Sequence, residues 1–213
     1  MKPLSAATIF VSIAAYRDPQ LPLTVASLFA QAEHPERVFV GVFNQIHLQE
    51  DQDCIAPDRP NLLQHVLDYN EAQGACWARG YVWNKLLGEQ DFALQIDSHS
   101  RFAPHWDTSV LQMHADIGDE QAVITHYPMG FDTETDALDP QMYTYFNVQS
   151  FRATQMPEVT SGAVDLQAAP KRCAQTAFVA AGSLFGRGAM FKQVPYDPFI
   201  YFHGEEITYA ARL

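Results

Sequence analysis

Residues 7–15, ATIFVSIAA, form a nearly unbroken apolar run rich in β-branched side chains, and this run restricts the possible folds more than any other feature of the chain. A run so short and so apolar, ending in the charged Tyr16-Arg17-Asp18-Pro19, reads as a strand covered on both faces, as in parallel sheets with helices on each side. The next residues agree. Leu21, Val25, Leu28, Phe29 and Ala32 recur at helical spacing, with Pro22 tolerable in a first turn. Val38, Val40 and Val42 then alternate within 37–44, RVFVGVFN, as in a second strand. Strand, helix, strand is a crossover unit, right-handed by default. The expected class is α/β, with a mostly parallel, Rossmann-like central sheet flanked by helices.

Farther along, 47–60 is polar and proline-punctuated and reads as a loop, and a weaker strand is expected at 65–69. Gly74 opens a helical segment expected to stop at Gly88, and 92–96 is a short apolar strand with Asp97 at its end. Asp107 is the expected N-cap of a helix carrying Val110, Leu111, His114 and Ile117. Residues 122–127 are strand-like. The stretch 128–175 has little periodicity and reads as a long loop or lid with short strands and mobile excursions. Regular structure returns at 177–185, near 188–192 and from Glu205. A chain of 213 residues suits one domain, 1–213, with a sizeable core.

Thirteen basic against 25 acidic residues give a net charge of −12, which disfavours nucleic acid and anionic membrane surfaces as partners. An anionic ligand would need local compensation from a metal cation, a helix N-terminus or placed arginines. No apolar stretch reaches the roughly 20 residues of a membrane span. Residues 1–15 mimic a signal peptide, but the apolar run is short, contains Ser12 and leads directly into a charged segment. Cys54, Cys76 and Cys173 are odd in number and widely spaced, which suits a reducing cytoplasm.

Asp97-Ser98-His99 follows a buried strand, and residues two apart in extended chain project to the same side. One carboxylate and one imidazole there suit a divalent ion such as Mn²⁺; a solvated turn is the plainer reading. His34, His47 and His65 are expected in solvent, whereas His203 lies beside Gly204-Glu205-Glu206 and could line a site. Glu205 and Glu206 at a helix start favour the macrodipole, or one of them grips hydroxyl groups. Arg17 and Arg79, each just beyond a strand, are candidate phosphate-binding cations. A two-metal hydrolase using Asp97, His99, His105 and Asp107 is the rival chemistry.

Six ordered segments carry a family resemblance. They are Tyr16-Arg17-Asp18-Pro19; 37–42 with Gln45; Gly74 with Ala78-Arg79; 95–102 with Trp106-Asp107; Ala181-Gly182-Ser183-Leu184-Phe185; and Val194-Pro195-Tyr196-Asp197-Pro198 leading to Phe202-His203-Gly204-Glu205-Glu206. Together they resemble the GlcNAc-transferases of bacteria and eukaryotes, a family that includes the cytoplasmic enzymes that attach GlcNAc to hydroxyproline on proteins. More distantly, they are similar to the mucin-type polypeptide GalNAc-transferases.

The resemblance implies a GT-A fold and retaining transfer of a hexosamine, GlcNAc from UDP-GlcNAc, to a hydroxyl acceptor, which can be a protein or peptide. It implies a divalent cofactor, Mn²⁺ first and Mg²⁺ second, held by Asp97 and His99. Ser12, Arg17, Gln45, Arg79, Asp97 and Gly182 would contact the nucleotide-sugar, and Glu205 and Glu206 would be the catalytic carboxylates facing sugar and acceptor. In these families the chain continues past the Arg212-Leu213 pair, and in the mucin-type enzymes it there supplies a further His to the metal, so this sequence is expected to be short relative to them. A catalytically silent nucleotide- or peptide-binding domain is the alternative.

Overall fold

In the computed structural model, residues 3–213 are described. The strands and helices are β1 (Ile9–Tyr16), α1 (Leu21–Gln31), β2 (Val38–Ile46), β3 (Leu62–Asp68), α2 (Ala75–Tyr81), β4 (Phe92–Asp97), α3 (Trp106–Ile117), β5 (Ile124–Thr125), β6 (Met142–Phe151), β7 (Pro157–Asp165), β8 (Ser183–Arg187), α4 (Gly188–Gln193) and α5 (Glu205–Ala210). Six strands form one sheet in the order β3-β2-β1-β4-β8-β5. The first four are parallel; β8 runs antiparallel to β4 and β5 antiparallel to β8.

The opening apolar run is the sheet's centre, as expected, because β1 is hydrogen-bonded on both edges and covered on both faces. Ile9, Val11 and Ile13 pack with Val40, Val42, Leu94 and Ile96 against α1 and α3. Phe10 points to the other face, where Phe43, Ala93, Trp83, Phe191 and Tyr209 form the second core under α2, α4 and α5. Helices on both faces of a mostly parallel sheet are what its two-sided apolar strands require.

Four expectations change. The stretch 128–175 is not loop throughout: β6 and β7 pair antiparallel into a long two-stranded ribbon, with a register shift between Val148 and Ser150. The ribbon is separate from the main sheet, so it buries little and shows only a weak apolar alternation. Asp107 is not an N-cap. It lies inside α3, and its carboxylate accepts the backbone N–H groups of Glu33 and His34 at 2.8 and 2.9 Å, tying α3 to the end of α1. His65 is not free in solvent, since its ring packs against both Phe43 and Tyr81. Of 177–185, only the part from Ser183 is strand.

His114, on the buried face of α3, packs edge-on against Phe92 and Phe185 and donates Nε2–H to the Ala122 carbonyl, 3.1 Å away. Burial lowers its pKa from the ordinary value. A histidine held neutral in the folded state binds fewer protons than in the unfolded chain, so its contribution is complete above about pH 6.5 and is lost as pH falls below that value. His114→Gln is expected to flatten the decline in melting temperature between about pH 7 and 5.5 relative to the parent. Parallel melting curves for both proteins would refute this.

Candidate functional site

The chain steps outward from β1 through β2 to β3, then returns to lay β4 on the other side of β1. Ligands of open α/β sheets bind at strand carboxyl ends beside such a reversal. Asp97, the last residue of β4, stands there in register with Ala14. From the opposite side, β8 pairs Ser183 with Ile96, which brings Gly182 against the Asp97 carboxylate. A Cβ at Gly182 would come 2.6 Å from Asp97 Oδ2, so glycine keeps that oxygen uncovered.

Arg79 projects from α2 to the same point. Its Nη2 lies 3.4 Å from Asp97 Oδ1, and its Nη1 is hydrogen-bonded to Glu205 Oε2. The same Glu205 oxygen accepts the Cys76 thiol at 3.0 Å. Burial, reinforced by Glu205, pushes the thiol pKa up and keeps it the donor. Arg79 is 7% and Glu205 6% exposed, and charges this deep are tolerable only as partners. Glu205 therefore does not face sugar or acceptor as the resemblance implied: it anchors the arginine.

His99 extends from the turn after β4, and Asp18, just past β1, holds it. Asp18 Oδ2 lies 2.8 Å from His99 Nδ1 and accepts Ser98 Oγ–H at 2.6 Å, while Oδ1 accepts the Gln20 N–H at 2.9 Å. Burial works to raise the Asp18 carboxyl, but the bonds from His99, Ser98 and Gln20 bring it down to about 2. The bond to Asp18 raises the imidazole pKa, and Asp97 adds to the shift. With Asp18 accepting, Nδ1 carries the proton and the neutral ring keeps its Nε2 lone pair on an exposed edge.

Carboxylate support of this kind orients ligating histidines in metal sites, and here it engages Nδ1 of His99. Among the described residues, no group of three or more His, Cys, Asp or Glu side chains forms a metal cage.

Consecutive helical side chains diverge, and Glu206 turns away from Glu205. Its Oε1 accepts the Ala181 N–H at 2.7 Å. Burial raises its pKa, with the Ala181 bond opposing. Glu206 lines a cleft of about 350 Å³ between the end of the β6–β7 ribbon and α5, with Arg152, Glu158, Phe178, His203 and Ile207.

Arg17 stands at the mouth in a left-handed conformation, φ 47°, paired with Asp51 at 2.6 Å and stacked 4.8 Å over the Tyr69 ring. Gln45 is buried, its amide given to the Ala15 carbonyl at 3.0 Å. Ser12 is corrected most: it sits in mid-strand between Gly41 and Gln95, wholly buried, because an apolar strand interior cannot reach the strand's end. Asp107 lines a cavity with Ile9 and Val38, the first residues of β1 and β2. This is the end of the sheet opposite Asp97, and His105 pairs there with Glu33. The four residues of the two-metal hydrolase reading therefore do not converge.

Two supporting residues escaped the sequence reading. Asp18 was visible as an acid at a strand end but had no readable partner. Gln95 was the one amide in an apolar strand. It accepts Trp83 Nε1–H and donates to the Ala181 carbonyl and the Tyr196 hydroxyl, which fixes the backbone that carries Gly182.

The profile of the family described as Glycosyltransferase (GlcNAc) matches residues 8–62 and 58–213. No curated protein matches the sequence. Among solved structures the chain is similar to residues 1–349 of S. aureus TarS, at TM-score 0.56 and 12% identity. The same protein in complex with UDP gives 0.57 and 13%, and in complex with UDP-GlcNAc 0.55 and 14%. Each comparison covers 95% of this chain but only 55%, 54% and 52% of the TarS chain, so this chain spans about half the length of its structural relative. Identities this low establish a shared fold. With the sheet order and the mouth at Asp97, that fold is of the GT-A nucleotide-sugar transferase type. Matched along nearly its whole length, the chain belongs to the Glycosyltransferase (GlcNAc) family.

Proposed function

We propose that the chain transfers GlcNAc from UDP-GlcNAc to a hydroxyl group with retention of configuration and with the aid of a divalent metal. The observation that carries this reading is the end of β4 beside the reversal of strand order, where Arg79 meets Asp97 and the following turn carries His99, held by Asp18. That the similar TarS fold is known with UDP and with UDP-GlcNAc supports the choice of donor. The resemblance to hydroxyproline-directed enzymes supports a protein acceptor. Three unpaired cysteines suit a cytoplasmic setting, and among the described residues no helix is long and apolar enough to cross a membrane.

Transfer from a sugar diphosphate passes through an oxocarbenium-like state, and negative charge grows on the departing diphosphate. Arg79, fixed by Glu205, presents a preorganised positive charge to it at no reorganisation cost. Mn²⁺, or Mg²⁺ as the second choice, held by Asp97 and His99 would supply Lewis-acid neutralisation of the same charge. Asp18 keeps the His99 ring turned outward, and Gly182 leaves Asp97 Oδ2 accessible. Glu206 accepts the acceptor hydroxyl and aims it at the sugar, and such orientation can carry much of the rate.

Incubation with UDP-GlcNAc and Mn²⁺ is expected to release UDP and to raise the melting temperature. A thermal shift without UDP would favour the silent nucleotide-binding domain, and neither response would overturn both readings. Glu206→Gln is expected to raise the acceptor KM about tenfold, the worth of one charge-assisted hydrogen bond, with the donor KM unchanged. An unchanged acceptor KM would remove Glu206 from the site.

A further inference from the structure

On the side toward Asp97, the Arg79 guanidinium is held by Asp97 and Glu205. The cleft on the other side has one guanidinium among its lining residues, that of Arg152, and it is already occupied: its Nε lies 3.1 Å from Glu158 Oε1. The second Glu158 oxygen accepts the Ser150 hydroxyl. Glu206 receives one backbone N–H, and among the described residues no cation pairs with it. A half-satisfied carboxylate in a partly desolvated cleft accepts from O–H or N–H⁺ and repels an anion. The net charge of −12 acts in the same direction. Phe178 and Ile207 supply an apolar wall for a carbon skeleton.

From this pattern we infer that the cleft between the β6–β7 ribbon and α5 admits an alcohol that is uncharged or cationic near its hydroxyl, and excludes alcohols bearing phosphate or carboxylate. The inference rests on reading the chain as a transferase with its acceptor side at Glu206. It also assigns Glu158 a specificity role: by occupying Arg152 it removes the cation that an anionic acceptor would need.

The test titrates ethanolamine, glycerol and glycerol 2-phosphate into the full chain while following the methyl resonances of Val159 and Ile207. Ethanolamine and glycerol are expected to shift both, and glycerol 2-phosphate to need at least about tenfold higher concentration. Glu158→Gln, which frees Arg152, is expected to narrow that gap to about threefold, and Arg152→Gln to widen it. Equal binding of the phosphate, or no response to any alcohol, overturns the inference. UDP release from UDP-GlcNAc with Mn²⁺ in the same samples tests the transferase reading separately. Charge preference without UDP release sinks that reading alone, and UDP release without charge preference sinks the cleft assignment alone.

Discussion

Arg79→Met is expected to remove about 3–5 kcal/mol of folding stability, the usual consequence of leaving one member of a buried ion pair unmatched. Glu205 is buried, and its remaining partner is the Cys76 thiol, which supplies a weak hydrogen bond and no charge. The loss is expected in the urea midpoint at constant slope, which separates stability from a change in unfolded-state compactness. Arg79→Met combined with Glu205→Met is expected to recover most of it, because an apolar pair of similar volume avoids the desolvation cost. A single-mutant loss under about 1 kcal/mol would mean that the pair behaves as a surface salt bridge, and the picture of Glu205 as an anchor would fail.

Asp97→Ala and His99→Ala are each expected to weaken Mn²⁺-dependent UDP binding by about 100-fold, the upper range for disturbing a metal site. Both should fold normally. His99 is largely exposed, and without Asp97 the Arg79 guanidinium still has Glu205. Asp18→Asn is expected to cost about tenfold, since it loosens the ring without removing it. Calorimetric titration of UDP with and without Mn²⁺ measures all three. Parent-like, Mn²⁺-dependent binding by either alanine variant would show that the residue is not a ligand.

The local patterns proved reliable where burial is two-sided. The apolar strands β1, β2 and β4 and the helices α1 and α3 stand close to where periodicity places them, because a strand buried on both faces leaves a continuous signature in the chain itself. The β6–β7 ribbon was harder. It pairs with nothing beyond itself, so Tyr145 and Phe151 are exposed and the apolar and polar positions do not separate cleanly. The positions of Asp97 at the end of β4 and Gly182 just before β8 were legible because short apolar runs mark strand ends. Ser12 was misplaced because it lies in the middle of β1, in the sheet's interior and not at the strand's end.

Sequence alone determined the α/β class, the central position of residues 9–16 and the placement of Asp97 at a strand's carboxyl end, since each follows from hydrophobic period and from residues adjacent in the chain. Only the tertiary structure decided which charges meet. Arg79 and Glu205 are 126 residues apart, and Asp18 and His99 are 81 apart. No local propensity encodes such a pairing. It arises when the sheet order brings β1, β4 and the start of α5 to one mouth, where Arg79 reaches both Glu205 and Asp97 and Asp18 reaches His99.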